Sequence, residues 1–548
     1  MTVRLMKKYN ILKLTALLLL TVFLLTSCLG PLKDLYTGWG FDENDPDSFS
    51  VSREELRSLI GINDSHISDA LDQLSEIKQL SMSAANIEEL YPLFESFDEL
   101  YCYIDDQVSL LMVLADLDLG DTSAKEKYLG YYEQFTTVYE LYLLTMKDIH
   151  KESPYSSEIF ADWSEEDIAF LYSHDPRVSE LNLRAEEIIL DIEAASSDAD
   201  IARLYTDLVL VNNEIARLSG YTDYYSYASA EVYRRDYGSD SIDRIRTYAA
   251  RYLKDALPML EKRYTSDFAL LTDSSYDALL EVMREPFYSL PENHVTGYVK
   301  SFSGSTGRGF SHMLREQNSI FALGKNARPG AYTFYFSGYE TPFCYFSSDY
   351  LDSFTVIHEM GHYYSGLYSF GDVSFDLAEL QSQANEMLFL DYLDGRLSRR
   401  VYNALYSYML YDYVSGIILC LIVDEFEKTV YTASDIEEYT LADYDRIIET
   451  VASRYGGIEY VERYIGDVKS YWKVSAATQP IYYLSYATSR ISALGILALA
   501  SQDTSAARDA YKSIVEDCPE GGGFLETLES LGIDSPFDEE VYEMINRL

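Results

Sequence analysis

The run Val356-Ile357-His358-Glu359-Met360-Gly361-His362 sets two histidines four residues apart with an acid between them. On a helix, positions i and i+4 share a face, so both imidazoles can turn toward one metal ion. Glu359 then stands beside that ion, within reach of a water held there, which is the arrangement a zinc hydrolase needs. Two histidines leave at least one protein ligand to be supplied. The chain has seven histidines and none follows His362, so a ligand from further along must be an acid. The next strongly helical stretch, Asp376-Leu377-Ala378-Glu379-Leu380-Gln381-Ser382-Gln383-Ala384-Asn385-Glu386-Met387, carries Glu379, Gln383 and Glu386 at spacings of four and three, on one face. Leu377, Leu380, Ala384 and Leu388 form a second, apolar face. Such a polar stripe suits one ligand with supports; on spacing alone, a solvated acidic face is its commoner use.

Other elements must hold these two helices. Ser50-Val51-Ser52-Arg53-Glu54-Glu55 reads as a serine cap with acids in the first helical turn. From there to about residue 270, apolar residues recur at three and four, as in Ile67, Leu71 and Leu74 or Leu110, Val113, Leu114 and Leu117, which predicts long packed helices. Between 301 and 341, Gly304, Gly307, Gly309, Gly324, Gly330 and Gly338 interrupt the helical pattern. Tyr332-Thr333-Phe334-Tyr335-Phe336 and Phe343-Cys344-Tyr345-Phe346 are aromatic and β-prone, which predicts a small sheet immediately before the histidine helix. The chain is helical again from 352 to about 502, and closes with Gly521-Gly522-Gly523 and two short helices. The expected fold is mainly α, with an N-terminal helical lobe over 51–270 and a catalytic lobe over 271–548.

These residues resemble the oligoendopeptidase F and thimet oligopeptidase family of zinc metallopeptidases. That family has His-Glu-x-Gly-His followed by Glu-x-x-Ser-Gln and a further Glu. Here the pattern is His358-Glu359-Met360-Gly361-His362, then Glu379-Leu380-Gln381-Ser382-Gln383, then Glu386. Gly220-Tyr221-Thr222-Asp223-Tyr224-Tyr225, Arg235-Asp236-Tyr237 and Pro329-Gly330-Ala331-Tyr332 are similar to segments upstream of the motif in such enzymes. The resemblance implies one zinc ion per chain on His358, His362 and Glu379, with Glu359 as general base and Gln383 and Glu386 as supports for the ligands. It implies an oxyanion donor from a late tyrosine-rich helix, here Pro480-Ile481-Tyr482-Tyr483-Leu484-Ser485-Tyr486, with Tyr486 as donor and Tyr483 on the substrate backbone. It also implies two helical lobes around a deep channel that admits short peptides, and so hydrolysis of peptide bonds by a monomer. The family's histidine just before the tyrosines has no counterpart in Ser475-Ala476-Ala477-Thr478-Gln479. Loss of one such donor typically costs about a hundred- to thousand-fold in rate. The alternative is therefore a peptide-binding protein with weakened catalysis.

The whole chain bounds these readings. Ninety acidic against 43 basic residues give a net charge of −47, which argues against nucleic acid as a partner because nothing would neutralise phosphates. Hydrophobic residues make up 47% of the chain, enough for a large core rather than an acidic disordered segment. Arg4, Lys7, Lys8 and Lys13 precede an apolar run over 14–25 that is too short to span a membrane comfortably. It ends Leu25-Thr26-Ser27-Cys28, similar to the lipobox of bacterial lipoproteins. That similarity implies a signal peptide over 1–27, lipid on Cys28, a tether over 28–50 and an extracytoplasmic, membrane-anchored location. No later run is expected to cross a membrane. Cys102, Cys344, Cys420 and Cys518 are scattered and predict neither disulfides nor a cysteine metal site.

Overall fold

The computed structural model describes residues 50–283, 293–348, 351–369, 373–518 and 522–547. The leader over 1–27, Cys28, the tether as far as residue 49, and Gly521 lie outside the described residues. Ser52 caps the first described helix, Arg53–Leu59: its hydroxyl accepts from the Glu55 amide while Glu55 accepts from the Ser52 amide, satisfying two otherwise orphan donors. Long helices follow, among them α1 (Tyr91–Asp116) and α2 (Thr122–Glu152).

Two hydrophobic cores result. The first gathers residues from Leu56 to Leu190 together with sheet residues between Ile320 and Tyr345, and the second runs from Ala185 to Ile545. They meet in the helix Arg177–Ala194, whose Leu190 enters the first core while Ala185, Ile188 and Ile192 enter the second. The cores therefore divide near residue 190, and the helices from Asp198–Leu218 onward pack with the histidine motif rather than with α1 and α2.

A three-stranded sheet forms the rest of the partition. Its order is β1 (Ser319–Ala322), β3 (Thr341–Ser347), β2 (Ala331–Phe336), with β1 parallel and β2 antiparallel to β3. Side chains alternate along a strand. Ile320, Tyr332, Phe334, Phe343 and Tyr345 accordingly enter the first core, and Phe321, Ala331, Cys344 and Phe346 the second. Val51 covers part of the outer edge of β1, its amide donating to the Ser319 carbonyl at 2.7 Å. β2 forms the other edge and pairs with β3 alone among the described residues.

The glycine-rich stretch differs from its sequence reading. Gly304–Arg315 is a helix, α3, despite three glycines that predict a break. A Cβ on Gly309 would lie 2.4 Å from the Tyr364 ring, and one on Gly307 would lie 2.6 Å from the Phe302 carbonyl oxygen. These glycines permit close packing, and that packing outweighs a helix cost of about 1 kcal/mol each.

The motif helix α4 (Ser353–Ser369) packs on the acidic helix α5 (Phe375–Leu393); α7 (Tyr483–Ala500) packs on α5 in turn, and α6 (Arg399–Tyr431) packs on α7. α6 is long and apolar enough to cross a membrane by length and composition, which the sequence reading did not expect. However, 94% of its most apolar window is buried inside the protein, as are its Asp412, Asp424 and Glu427, so it serves here as a core helix. α4 and α5 touch almost backbone to backbone. A Cβ on Gly361 would lie 2.6 Å from Ser382 Cα and 2.8 Å from the Gln381 carbonyl oxygen. Asn385 Nδ2 donates to the Ile357 carbonyl at 2.7 Å and Ser365 Oγ to Gln381 Oε1 at 2.5 Å, which locks the register of the pair.

This contact predicts opposite outcomes for two glycines. Gly361→Ala must push α5 away and should cost about 1–3 kcal/mol as overpacking. Gly130→Ala lies within α2, where an added Cβ meets nothing within 4 Å, and should add about 0.5–1 kcal/mol. Denaturant unfolding of the two variants beside wild type reads both signs.

Candidate metal centre

Asp352 starts the motif helix by accepting from the Phe354 and Thr355 amides at 2.9 and 3.1 Å. His358 and His362 follow on successive turns, with their Nε2 atoms 3.2 Å apart. α5 presents Glu379 to both: its Oε2 lies 3.5 Å from His358 Nε2 and its Oε1 lies 3.6 Å from His362 Nε2. Ligands of one tetrahedral zinc, each at 2.0–2.2 Å, stand roughly 3.3–3.5 Å from one another. The triangle therefore fits a single small divalent ion. Among the described residues it is the one group of three His, Cys, Asp or Glu side chains whose ligand atoms all lie within 4.8 Å of each other.

Two of the three ligands, His358 and Glu379, are held from behind. His358 Nδ1 donates to Glu386 Oε1 at 2.6 Å, which leaves Nε2 as the nitrogen facing the triangle. Glu379 accepts from the Tyr482 hydroxyl on Oε1, and the Ser382 hydroxyl donates to its main-chain carbonyl at 2.9 Å. Gln383 turns elsewhere: its Oε1 accepts from Ser489 Oγ of α7 at 2.8 Å. Glu379, Gln383 and Glu386 are 2%, 1% and 8% exposed, so the polar stripe of α5 is a buried seam and not a solvated face.

Glu359 is fully buried against β2. Its Oε2 accepts from Thr333 Oγ1 at 2.6 Å, while its Oε1 is a buried oxygen with no hydrogen-bond partner among the described residues. Tyr483 and Tyr486 are both buried on α7. The Tyr486 ring stands edge-on to Tyr482 at 5.0 Å, and the Tyr483 ring is 6.2 Å from that of Tyr486. The phenol bonded to Glu379 is that of Tyr482, which helical spacing does not single out because it precedes the first turn of α7. Thr333 was also missed; its signal was the strand alternation that turns position 333 toward the second core. Thr478, in the stretch lacking the histidine, spends its hydroxyl on the Val474 carbonyl.

The charges are strongly coupled. Burial acts to hold down the His358 imidazole, but Glu379 and Glu386 more than offset it and raise it to about 10. His362 is lowered to about 4 by burial, with the neighbouring His358 adding to the shift. Glu379 falls below the usual carboxylate range: burial opposes this, and the two histidines override burial. Burial pushes the Glu359 carboxyl up to about 7, against the pull of His358 and the Thr333 hydroxyl. Burial likewise raises the Tyr486 phenol well above its ordinary value, so it remains a proton donor.

No protein-family model matches this chain, and no curated protein sequence does. Solved structures do. PZ peptidase A, determined with an inhibitor, superposes with a TM-score of 0.65 at 16% identity, covering 93% of this chain and 98% of that one. A protein assigned as an oligoendopeptidase F from Bacillus anthracis gives 0.65 at 16% identity over 88% and 95% of the two chains. Oligoendopeptidase F from Enterococcus faecium gives 0.53 at 14% identity over 88% and 96%. At such identities the likeness is one of fold: this chain is built on the helical architecture of those peptidases along nearly its whole described length.

The paired histidines make metal uptake pH-dependent. A metal ion takes the place of the proton on His358 Nε2, and His362 is already neutral near pH 7. One proton should leave per ion bound, and apparent affinity should rise about tenfold per pH unit below the raised His358 value. Calorimetric titration with a divalent metal in buffers of different ionisation enthalpy counts that proton, and a count near zero at pH 7 would contradict a protonated His358 in the metal-free site.

Proposed function

We propose that this protein is a zinc-dependent peptidase that hydrolyses bonds in short peptides, working as a monomer outside the cytoplasm and anchored by lipid on Cys28. The observation that carries the peptidase reading is the triangle of buried His358 and Glu379 with half-buried His362, and an unpartnered Glu359 oxygen beside it. The names of the structures that share the fold, oligoendopeptidase and PZ peptidase, support the same chemistry. The location rests on the sequence over 1–28.

Zinc bound by the three ligands would lower the pKa of a water and polarise the scissile carbonyl. Glu386 keeps His358 in one tautomer, and Tyr482 keeps Glu379 in one orientation. Glu359 takes the proton of the attacking water on its unpartnered oxygen and returns it to the leaving amine. Tyr486 donates to the oxyanion and Tyr483 to the substrate backbone. A peptide paired on the edge of β2 away from β3 would run along the strand whose Thr333 touches Glu359. A channel between helical lobes would limit substrates to short, unfolded peptides.

A second reading, a peptide-binding lipoprotein with weakened catalysis, is favoured by one observation: residues 475–479 contain no histidine. Glu359→Gln separates the two. On the first reading it keeps full zinc content and loses about a hundredfold or more in cleavage of internally quenched peptides. On the second, the wild-type chain, with zinc at full occupancy, binds those peptides and turns them over at background. Cys28→Ala should move the protein from the membrane to the soluble fraction; continued membrane association would remove the lipid anchor from the proposal.

A further inference from the structure

The backbone leading into Tyr482 is strained. Ile481 has φ 66°, in the left-handed region that a β-branched residue enters only under constraint. The constraint comes from three buried side chains. The Tyr233 hydroxyl donates to the Pro480 carbonyl at 2.6 Å, Arg235 Nη2 donates to the Ile481 carbonyl at 2.7 Å, and the Ile481 amide donates to Glu427 Oε1 at 2.6 Å. Arg235 Nη2 also reaches the Ser485 hydroxyl at 3.1 Å, on the first turn of α7.

The same short segment grips the start of α5. The Tyr233 carbonyl accepts from the Phe375 amide at 3.2 Å, Arg235 Nε lies 3.6 Å from Asp376 Oδ1, and the Tyr237 hydroxyl donates to Asp376 Oδ2. Glu379 follows one turn later. The Phe375 ring stands edge-on to both Tyr233 and Tyr482, at 5.4 and 6.0 Å. Residues 233–237 thus bind both elements that meet where Tyr482 touches Glu379.

We propose that Arg235 and Glu427 are positioning residues of the metal centre: they hold the Pro480–Ile481 turn in its left-handed form, which delivers the Tyr482 hydroxyl to Glu379 and fixes that carboxylate for the metal. The inference rests on the reading of His358, His362 and Glu379 as ligands. It assigns the strained turn a purpose, since a relaxed Ile481 would swing the following side chain off the carboxylate. Burial holds the Glu427 carboxyl well above its usual range, so it is a neutral acid whose shape a glutamine copies.

The test is zinc affinity of the full chain in detergent, read by competition with a chromogenic chelator. Tyr482→Phe should weaken zinc about 10–100-fold, the usual effect of removing a ligand's outer partner. Arg235→Lys keeps a charge facing Asp376 but loses the fork that reaches Ile481 and Ser485, and should weaken zinc about tenfold or more. Added to Tyr482→Phe, it should cost no more than about twofold further, because both act through one hydroxyl. Glu427→Gln should stay within about twofold of wild type, while Glu427→Leu should fall with Arg235→Lys; this pair carries the test if Arg235→Lys does not fold. The proposal is overturned if Arg235→Lys and Glu427→Leu bind zinc as wild type does, if their losses add in full to that of Tyr482→Phe, or if the two Glu427 variants behave alike. A wild-type chain that takes up no zinc is a separate result, which overturns the ligand assignment and this inference with it.

Discussion

The contact between Gly361 and Ser382 sets the conditions for everything else at the site. Two α-helices normally pack with their axes 8–10 Å apart, kept there by side chains. Here one helix has no Cβ at the crossing, and its backbone meets that of its neighbour. Only at such a distance can a glutamate on α5 come within 3.6 Å of two imidazoles on α4. The hydrogen bonds of Asn385 to Ile357 and of Ser365 to Gln381 then fix the sliding of one helix on the other, so the triangle is a property of two rigid elements rather than of a loop.

Charge is the second constraint. The protein carries a net −47, and most of that charge lies in water, but Glu359, Glu379 and Glu386 are buried together beside two histidines. Three carboxyls in so small a volume cannot all remain ionised against a single imidazolium without a large desolvation cost. The structure resolves this unevenly: Glu379 is held down by the histidines, while Glu359 is pushed up to about 7 by burial. A divalent cation on the triangle would supply the missing positive charge, which is the electrostatic reason the donor set suits a metal better than an isolated ion pair.

The sheet joins this centre to the first core. β2 sends Tyr332 into one core and Thr333 toward the other, where it meets Glu359. Tyr332 in turn donates to Asp116 at the end of α1, and Arg328 pairs with Asp116 at 3.2 Å and with Glu193 at 2.5 Å. This buried network spans α1, the sheet and the helix shared by both cores. Removing one partner would leave an uncompensated buried charge, so the network fixes where β2 lies relative to the motif helix.

The sequence by itself determined the parts of this protein that depend on local periodicity. The i, i+4 histidines, the acid between them, the mainly helical fold and the aromatic strands before the motif are all readable there, because a helix face and a strand alternation are properties of neighbouring residues; the choice of Glu379 rests on the family resemblance, since spacing alone favours a solvated face for it. Tertiary structure decided what depends on residues far apart in the chain. It made the Gly304–Arg315 stretch a helix by packing Tyr364 and Phe302 against its glycines, turned Gln383 to Ser489, and divided the cores near residue 190. It also brought Tyr482 rather than a residue at helical spacing to Glu379, by pinning Ile481 in a left-handed turn. The reason is the same in each case: tertiary contacts, from Tyr364 against Gly309 to Arg235 on the Ile481 carbonyl, supply free energy that exceeds the local preference that spacing alone can report.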